Sequence, residues 1–160
     1  MKEIVIRHFF EGCAAAAELA AEAADALDRR TDSAGTVFSR LNMRPMESEF
    51  DLEPQHLVAL VDAVLAGTID LAALEAIAFA VEASDHFLWD TDTEGGDRVA
   101  RALFLLGAPE INYPLTTVVL RKIKHLLESG EETFDAADQR PPEPRPHLIS
   151  EKSWHRDPDV

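Results

Sequence analysis

Between Pro45 and Asp97 the chain has no lysine and no arginine. Thirteen acids fall in that stretch: Glu47, Glu49, Asp51, Glu53, Asp62, Asp70, Glu75, Glu82, Asp85, Asp90, Asp92, Glu94 and Asp97. They account for most of a net charge of −15, so the remainder of the chain is close to neutral. A surface without bases cannot neutralise phosphates, which argues against nucleic acid as a ligand. Cysteine is nearly absent too. The single Cys13 cannot form an internal disulfide, which suits a reducing compartment. Beside an alanine-rich run it reads as a small buried or half-buried thiol.

Long apolar runs are also missing. None approaches the roughly 20 residues of a membrane-spanning helix, and Met1–His8 has too short an apolar stretch for a signal peptide. The cytoplasm is the expected location, with no membrane contact. Motifs for chemistry are lacking as well. There is no P-loop, no GxGxxG, no GxSxG and no HExxH. The six histidines have no cysteine partner nearby. Asp85-His86 is an acid–base pair by adjacency only, without a nucleophile motif. The expectation is a non-catalytic protein with no catalytic residues and no cofactor; absence of motifs does not exclude an enzyme, which stays open as a third reading.

What is present is ample material for one core. Hydrophobic residues make up 46% of 160 residues, enough for a single domain without a disulfide or metal staple. Helical periodicity dominates. Leu57, Leu60, Val61, Val64 and Leu65 repeat at i, i+3, i+4, i+7 and i+8, which predicts a helix over Pro54–Ala66 with Pro54 in its first turn. Asp70–Ala83 has few polar positions and reads as a central helix, covered on most sides. Asp97–Leu106 is a short helix. Thr116–Leu127 is another, with Thr116 as its cap and Leu115 stapling onto Leu120. The bases Arg121, Lys122 and Lys124 on it form a solvated face or pair with the acidic half. Ala14–Arg30, rich in Ala, Leu and Glu, also reads as a helix.

Ile4–Phe10 is open between helix and strand, and an internal echo favours helix. His8-Phe9-Phe10-Glu11-Gly12 followed by Leu19 resembles Ala63-Val64-Leu65-Ala66-Gly67 followed by Leu74, at an offset of 55. Each is an apolar segment closed by Gly, so the echo predicts two helical hairpins. Thr36–Asn42 and Met46–Leu52 alternate in polarity around Arg44-Pro45 and predict a short β-hairpin anchored by Val37, Phe38, Leu41, Phe50 and Leu52. The fold class is therefore mainly α, a compact domain of about five to six helices with a short β-hairpin near residues 36–52; α+β is the alternative. The helical domain covers 1–128. From 129 to 160 the composition shifts to prolines (Pro141, Pro142, Pro144, Pro146, Pro158) and charges, which predicts a tail of low order with apolar points at Leu148-Ile149 and Trp154.

Residues 90–101 resemble the start of an EF-hand loop, with Asp90, Asp92 and Glu94 at positions 1, 3 and 5 and Gly95 at 6. Position 12 is Arg101, where a bidentate carboxylate is needed, and position 8 is Asp97, where an apolar side chain belongs. No metal site is expected; weak cation binding at Asp90, Asp92 and Glu94 is the alternative. The same carboxylates suit the positive end of the following helix. The candidate partner-binding set is Asp85, Phe87, Trp89, Asp90, Asp92, Glu94 and Asp97, aromatics among acids.

Ser84-Asp85-His86-Phe87-Leu88-Trp89-Asp90 and Pro109-Glu110-Ile111-Asn112-Tyr113-Pro114-Leu115-Thr116 resemble stretches of small acidic bacterial proteins of the toxin-immunity type, over about Phe50 to Leu127. That resemblance implies a cytosolic protein that binds and blocks a cognate toxin, many such toxins being basic nucleases. No family site residues carry over. Steering by an acidic patch fits a basic protein partner independently of the resemblance. A regulatory, cation-binding acidic module is the alternative function. Oligomeric state and the partner's identity are not written in these features.

Overall fold

Helix formers grouped at a 3.6-residue period build six helices among the described residues: α1 Glu3–Phe10, α2 Ala16–Ala23, α3 Pro54–Leu65, α4 Leu71–Ala83, α5 Glu94–Gly107 and α6 Thr117–Ser129. The structure, a computed structural model, describes residues 1–140. Four short strands complete it: β1 Leu27–Thr31, β2 Val37–Leu41, β3 Phe50–Asp51 and β4 Phe87–Leu88. The fold is mainly α with minor β.

The internal echo is real in three dimensions. Gly12 and Gly67 both adopt a left-handed conformation, φ 74° and 79°, which glycine reaches without steric cost. In the first turn Gly12 N–H donates to Phe9 C=O, while Cys13 and Ala14 N–H donate to His8 C=O. In the second, Gly67 N–H donates to Val64 C=O, while Thr68 and Ile69 N–H donate to Ala63 C=O. The same donors meet the same acceptors 55 positions on, and α2 and α4 begin at matching positions, Ala16 and Leu71. Ile4–Phe10 is thus helix. The turn also corrects the burial expected for Cys13, which is exposed: it follows the left-handed residue and sits outside the packed faces.

α4 is the centre. Ala73, Leu74, Ala76, Ile77, Ala78, Ala80 and Val81 are all buried, and α4 packs on α5, α2, α3 and α1. Its small alanines admit close neighbours while Leu74 and Ile77, fully buried, contribute about 1.5–3 kcal/mol each. α6 lies across α3 and α5. It buries Val119, Leu120, Ile123, Leu126 and Leu127, and Thr116 Oγ1 accepts Val119 N–H at 3.2 Å as its cap. Lys124 reaches into the acidic half and binds both oxygens of Asp62, at 2.6 and 2.8 Å.

Three sequence expectations need correction. The helix expected over Ala14–Arg30 stops at Ala23, and Leu27–Thr31 becomes β1. Helix propensity is a weak prior, and here β1 finds an antiparallel partner in β2, with Leu27 opposite Leu41 and Thr31 opposite Val37. The hairpin therefore joins β1 to β2, not Thr36–Asn42 to Met46–Leu52. Asp32 shapes its turn, accepting Ala34 and Thr36 N–H. Phe50–Asp51 instead pairs in parallel with Phe87–Leu88, far away in sequence. The helix expected from Asp97 starts three residues earlier, at Glu94, because Thr93 caps it.

Beyond α6, residues 130–140 lie against the domain. Phe134 stacks on Tyr113 with ring centroids 4.7 Å apart. Lys122 holds Asp138 at 2.7 Å and Asp135 at 3.3 Å. Arg101 binds Glu132 with two hydrogen bonds. The five prolines, Leu148-Ile149 and Trp154 lie outside the described residues.

Candidate functional site

The parallel pairing of β3 with β4 is what assembles the acidic surface. Phe50 N–H donates to His86 C=O at 2.8 Å, and Leu52 N–H to Leu88 C=O at 2.7 Å. Strand alternation then sorts the side chains. Phe50 and Phe87 turn inward; Asp51 and Leu88 turn outward, side by side. Phe10, Phe50, His56 and Phe87 form one aromatic cluster behind the ribbon, with centroids 5.0–6.2 Å apart. Segment 47–53 thus lies beside segment 85–97. Of the thirteen acids, all but Asp62 and Glu75 are exposed. At its edge stands Arg7, whose guanidinium sits 5.7 Å over the Phe50 ring and is held by Glu11 and Ser48.

The loop from Asp90 is tied by its own hydrogen bonds. Asp90 Oδ1 accepts Asp92 N–H at 3.0 Å. Asp90 C=O accepts both the N–H and the hydroxyl of Thr93. Thr93 Oγ1 in turn accepts Gly96 N–H at 3.0 Å and caps α5. Gly96 is buried directly against the Asp90 backbone, leaving no room for a side chain. These bonds leave the loop little freedom to lose.

The candidate residues separate on this frame. Asp85, Asp90, Asp92, Glu94 and Asp97 are exposed. Glu94 pairs loosely with Arg98 at 3.5 Å. Asp97 lies close enough to Arg101 to help hold that guanidinium above its ordinary range, chiefly the work of Glu132. Phe87 is only 2% exposed: it is a core residue, which corrects its assignment to the contact set. Trp89 is half-buried and packs on the core. Leu88, at 37% exposure, is the apolar side chain that faces out among the acids.

Sequence reasoning missed the contribution of Glu49, Asp51 and Glu53 to this surface. The one available signal was the missing bases from Pro45 onward. The adjacency of Asp85 and His86 gave no contact partner for the imidazole. Its Nδ1 faces Glu3 Oε2 at 3.1 Å, at ion-pair distance though not turned for a linear hydrogen bond, rather than Asp85.

Glu53 and His56 form a capping box at the start of α3, with Glu53 N–H donating to His56 Nδ1. Burial pushes the His56 pKa down, against the opposing fields of Glu53 and Glu11. The Pro109–Pro114 loop is tied by Asn112, whose side-chain amide donates to Phe104 and Ala108 C=O and so satisfies the end of α5. Among the described residues no three His, Cys, Asp or Glu side chains stand close enough to hold a metal ion, and no helix is long and apolar enough to cross a membrane. Comparison with protein-family models, with curated proteins and with solved structures finds no match to this chain.

Proposed function

We propose that this chain is a non-catalytic binding protein of immunity or inhibitor type, which meets a basic protein through the surface built from segments 47–53 and 85–97. The observation that carries the reading is the β3–β4 pairing, which joins two acidic segments containing no base into one surface. Like charges gathered this way repel one another and cost stability, so a complementary partner offsets a penalty the free protein carries. Long-range attraction speeds encounter, and Leu88 with the half-buried Trp89 supplies short-range apolar contact. A basic toxin is the partner class that the resemblance of Ser84–Asp90 and Pro109–Thr116 adds.

The test is affinity capture at low salt from a lysate of the source organism, against a variant carrying Asp51→Asn, Asp92→Asn and Glu94→Gln. The expected result is a basic protein retained by the wild type, released by about 0.5 M salt because screening then acts within a few ångströms, and lost with the variant. A partner indifferent to both salt and variant would overturn the reading.

A further inference from the structure

Glu3 stands at the root of the acidic surface. It is 1% exposed, one of only two buried polar or charged residues among those described. A carboxylate withdrawn from water costs several kcal/mol unless donors or a positive partner surround it, so its position requires a structural reason. One oxygen, Oε2, has one hydrogen-bond donor and one close neighbour at ion-pair distance. Met46 N–H donates to it at 2.9 Å, and His86 Nδ1 faces it at 3.1 Å. Met46 directly precedes the acids of segment 47–53. His86 lies between Asp85 and Phe87, at the start of segment 85–97. A single buried atom on α1 therefore meets the origin of both acidic segments.

The backbone repeats the connection. Glu3 N–H donates to Arg44 C=O at 3.0 Å, and Lys2 pairs with Arg44 in a parallel bridge. His86 C=O accepts Phe50 N–H, the bond that opens the β3–β4 ribbon, and His86 N–H donates to Ser84 Oγ. The ribbon has only two residues per strand, too short to hold itself in water. Its register depends on what anchors its two ends.

We propose that Glu3 and His86 are positioning residues of the acidic docking surface: the buried carboxylate holds Met46 and His86 together, and this sets segments 47–53 and 85–97 side by side. The proposal rests on the docking reading for its functional meaning, while the joint itself is testable without any partner. Glu3 is too deeply buried to reach a partner. Both residues act through Met46 and Phe50.

Amide hydrogen exchange tests the joint. In Glu3→Gln, which keeps an acceptor for Met46 but removes the charge facing His86, the amides of Met46, Phe50 and Leu52 exchange about tenfold faster, while those of Leu103 and Ile123 are unchanged. His86→Gln gives the same local pattern, and the double variant adds little to either, as for residues acting as one unit. Uniform acceleration, no acceleration, or additive effects would overturn the joint. A deca-lysine peptide at low ionic strength, followed by backbone amide shifts, tests the function. Wild-type shifts centred on 47–53 and 85–97 support the docking reading; shifts elsewhere sink that reading and leave the joint to the exchange result. Glu3→Gln weakens peptide binding about fivefold, against about twofold for Glu18→Gln, which removes the same formal charge from an exposed site on α2. Equal weakening would overturn the positioning role.

Discussion

Gly95 and Gly96 are neighbours in the first turn of α5, yet alanine should act on them with opposite sign. A Cβ on Gly96 would overlap the carbonyl group of Asp90 and lie 2.9 Å from its nitrogen. Those are backbone atoms, so the Asp90 turn must move. That movement breaks the Thr93 cap, worth about 1 kcal/mol, and adds about 1–3 kcal/mol of overpacking strain. At about 2–4 °C per kcal/mol for a chain of this size, Gly96→Ala lowers Tm by roughly 10 °C. A Cβ on Gly95 would meet only Pro54 Cδ and Cγ, at 3.7 and 3.8 Å, ordinary contact distances. Gly95→Ala therefore gains helix propensity, about 0.5 kcal/mol this close to the helix end, and raises Tm by about 1–2 °C. Urea and thermal unfolding of both variants decide the matter. If the two alanines shift stability in the same direction, or if Gly96→Ala is neutral, the loop is not packed as described, and the pre-organisation argued for the proposed docking surface falls with it.

Other expectations follow from the same structure. The folded-state pKa of His56 lies below its ordinary 6.5, so the unfolded chain binds the proton first. Stability from this residue is full above about pH 6.5 and is lost as pH falls below it; His56→Gln, which can still receive Glu53 N–H, should flatten that fall in denaturation curves measured between about pH 7 and pH 5. Ile77→Ala, at a fully buried site in α4, should cost about 2–5 kcal/mol in urea unfolding; a cost under about 1 kcal/mol would show that α4 is not central. Thr116→Ala should cost about 1 kcal/mol through loss of the α6 cap, with Thr116→Asn close to wild type. Phe134→Ala removes the stack on Tyr113 and should speed proteolytic cleavage within 130–140 without lowering the Tm of the helical domain by more than about 2 °C; a large fall in Tm would make that segment part of the core.

Short-range patterns determined much of this protein from the sequence alone. The apolar stripes of α3 and α6, the largely apolar α4, the cap at Thr116 and the glycine turns at Gly12 and Gly67 all act within four or five residues. Each is readable where it stands, because a helix satisfies its own backbone and leaves only its faces to be matched. The 55-residue echo was legible for the same reason, since left-handed glycine after an apolar turn is a local device. Charge was legible too, because the absence of lysine and arginine from Pro45 to Asp97 needs no geometry. Strands cannot be read this way. Leu27–Thr31 looked like the end of a helix because its partner β2 was not part of the local signal, and Phe50–Asp51 was matched to the wrong strand because a two-residue ribbon has no sequence periodicity of its own. Only tertiary structure decided that Phe87 turns inward while Leu88 faces out, that Asp51 stands beside Leu88, and that buried Glu3 meets Met46 and His86. Those contacts span 37 to 83 positions of chain. They exist because the packing of the helices around α4 brings backbone edges far apart in sequence within hydrogen-bonding distance.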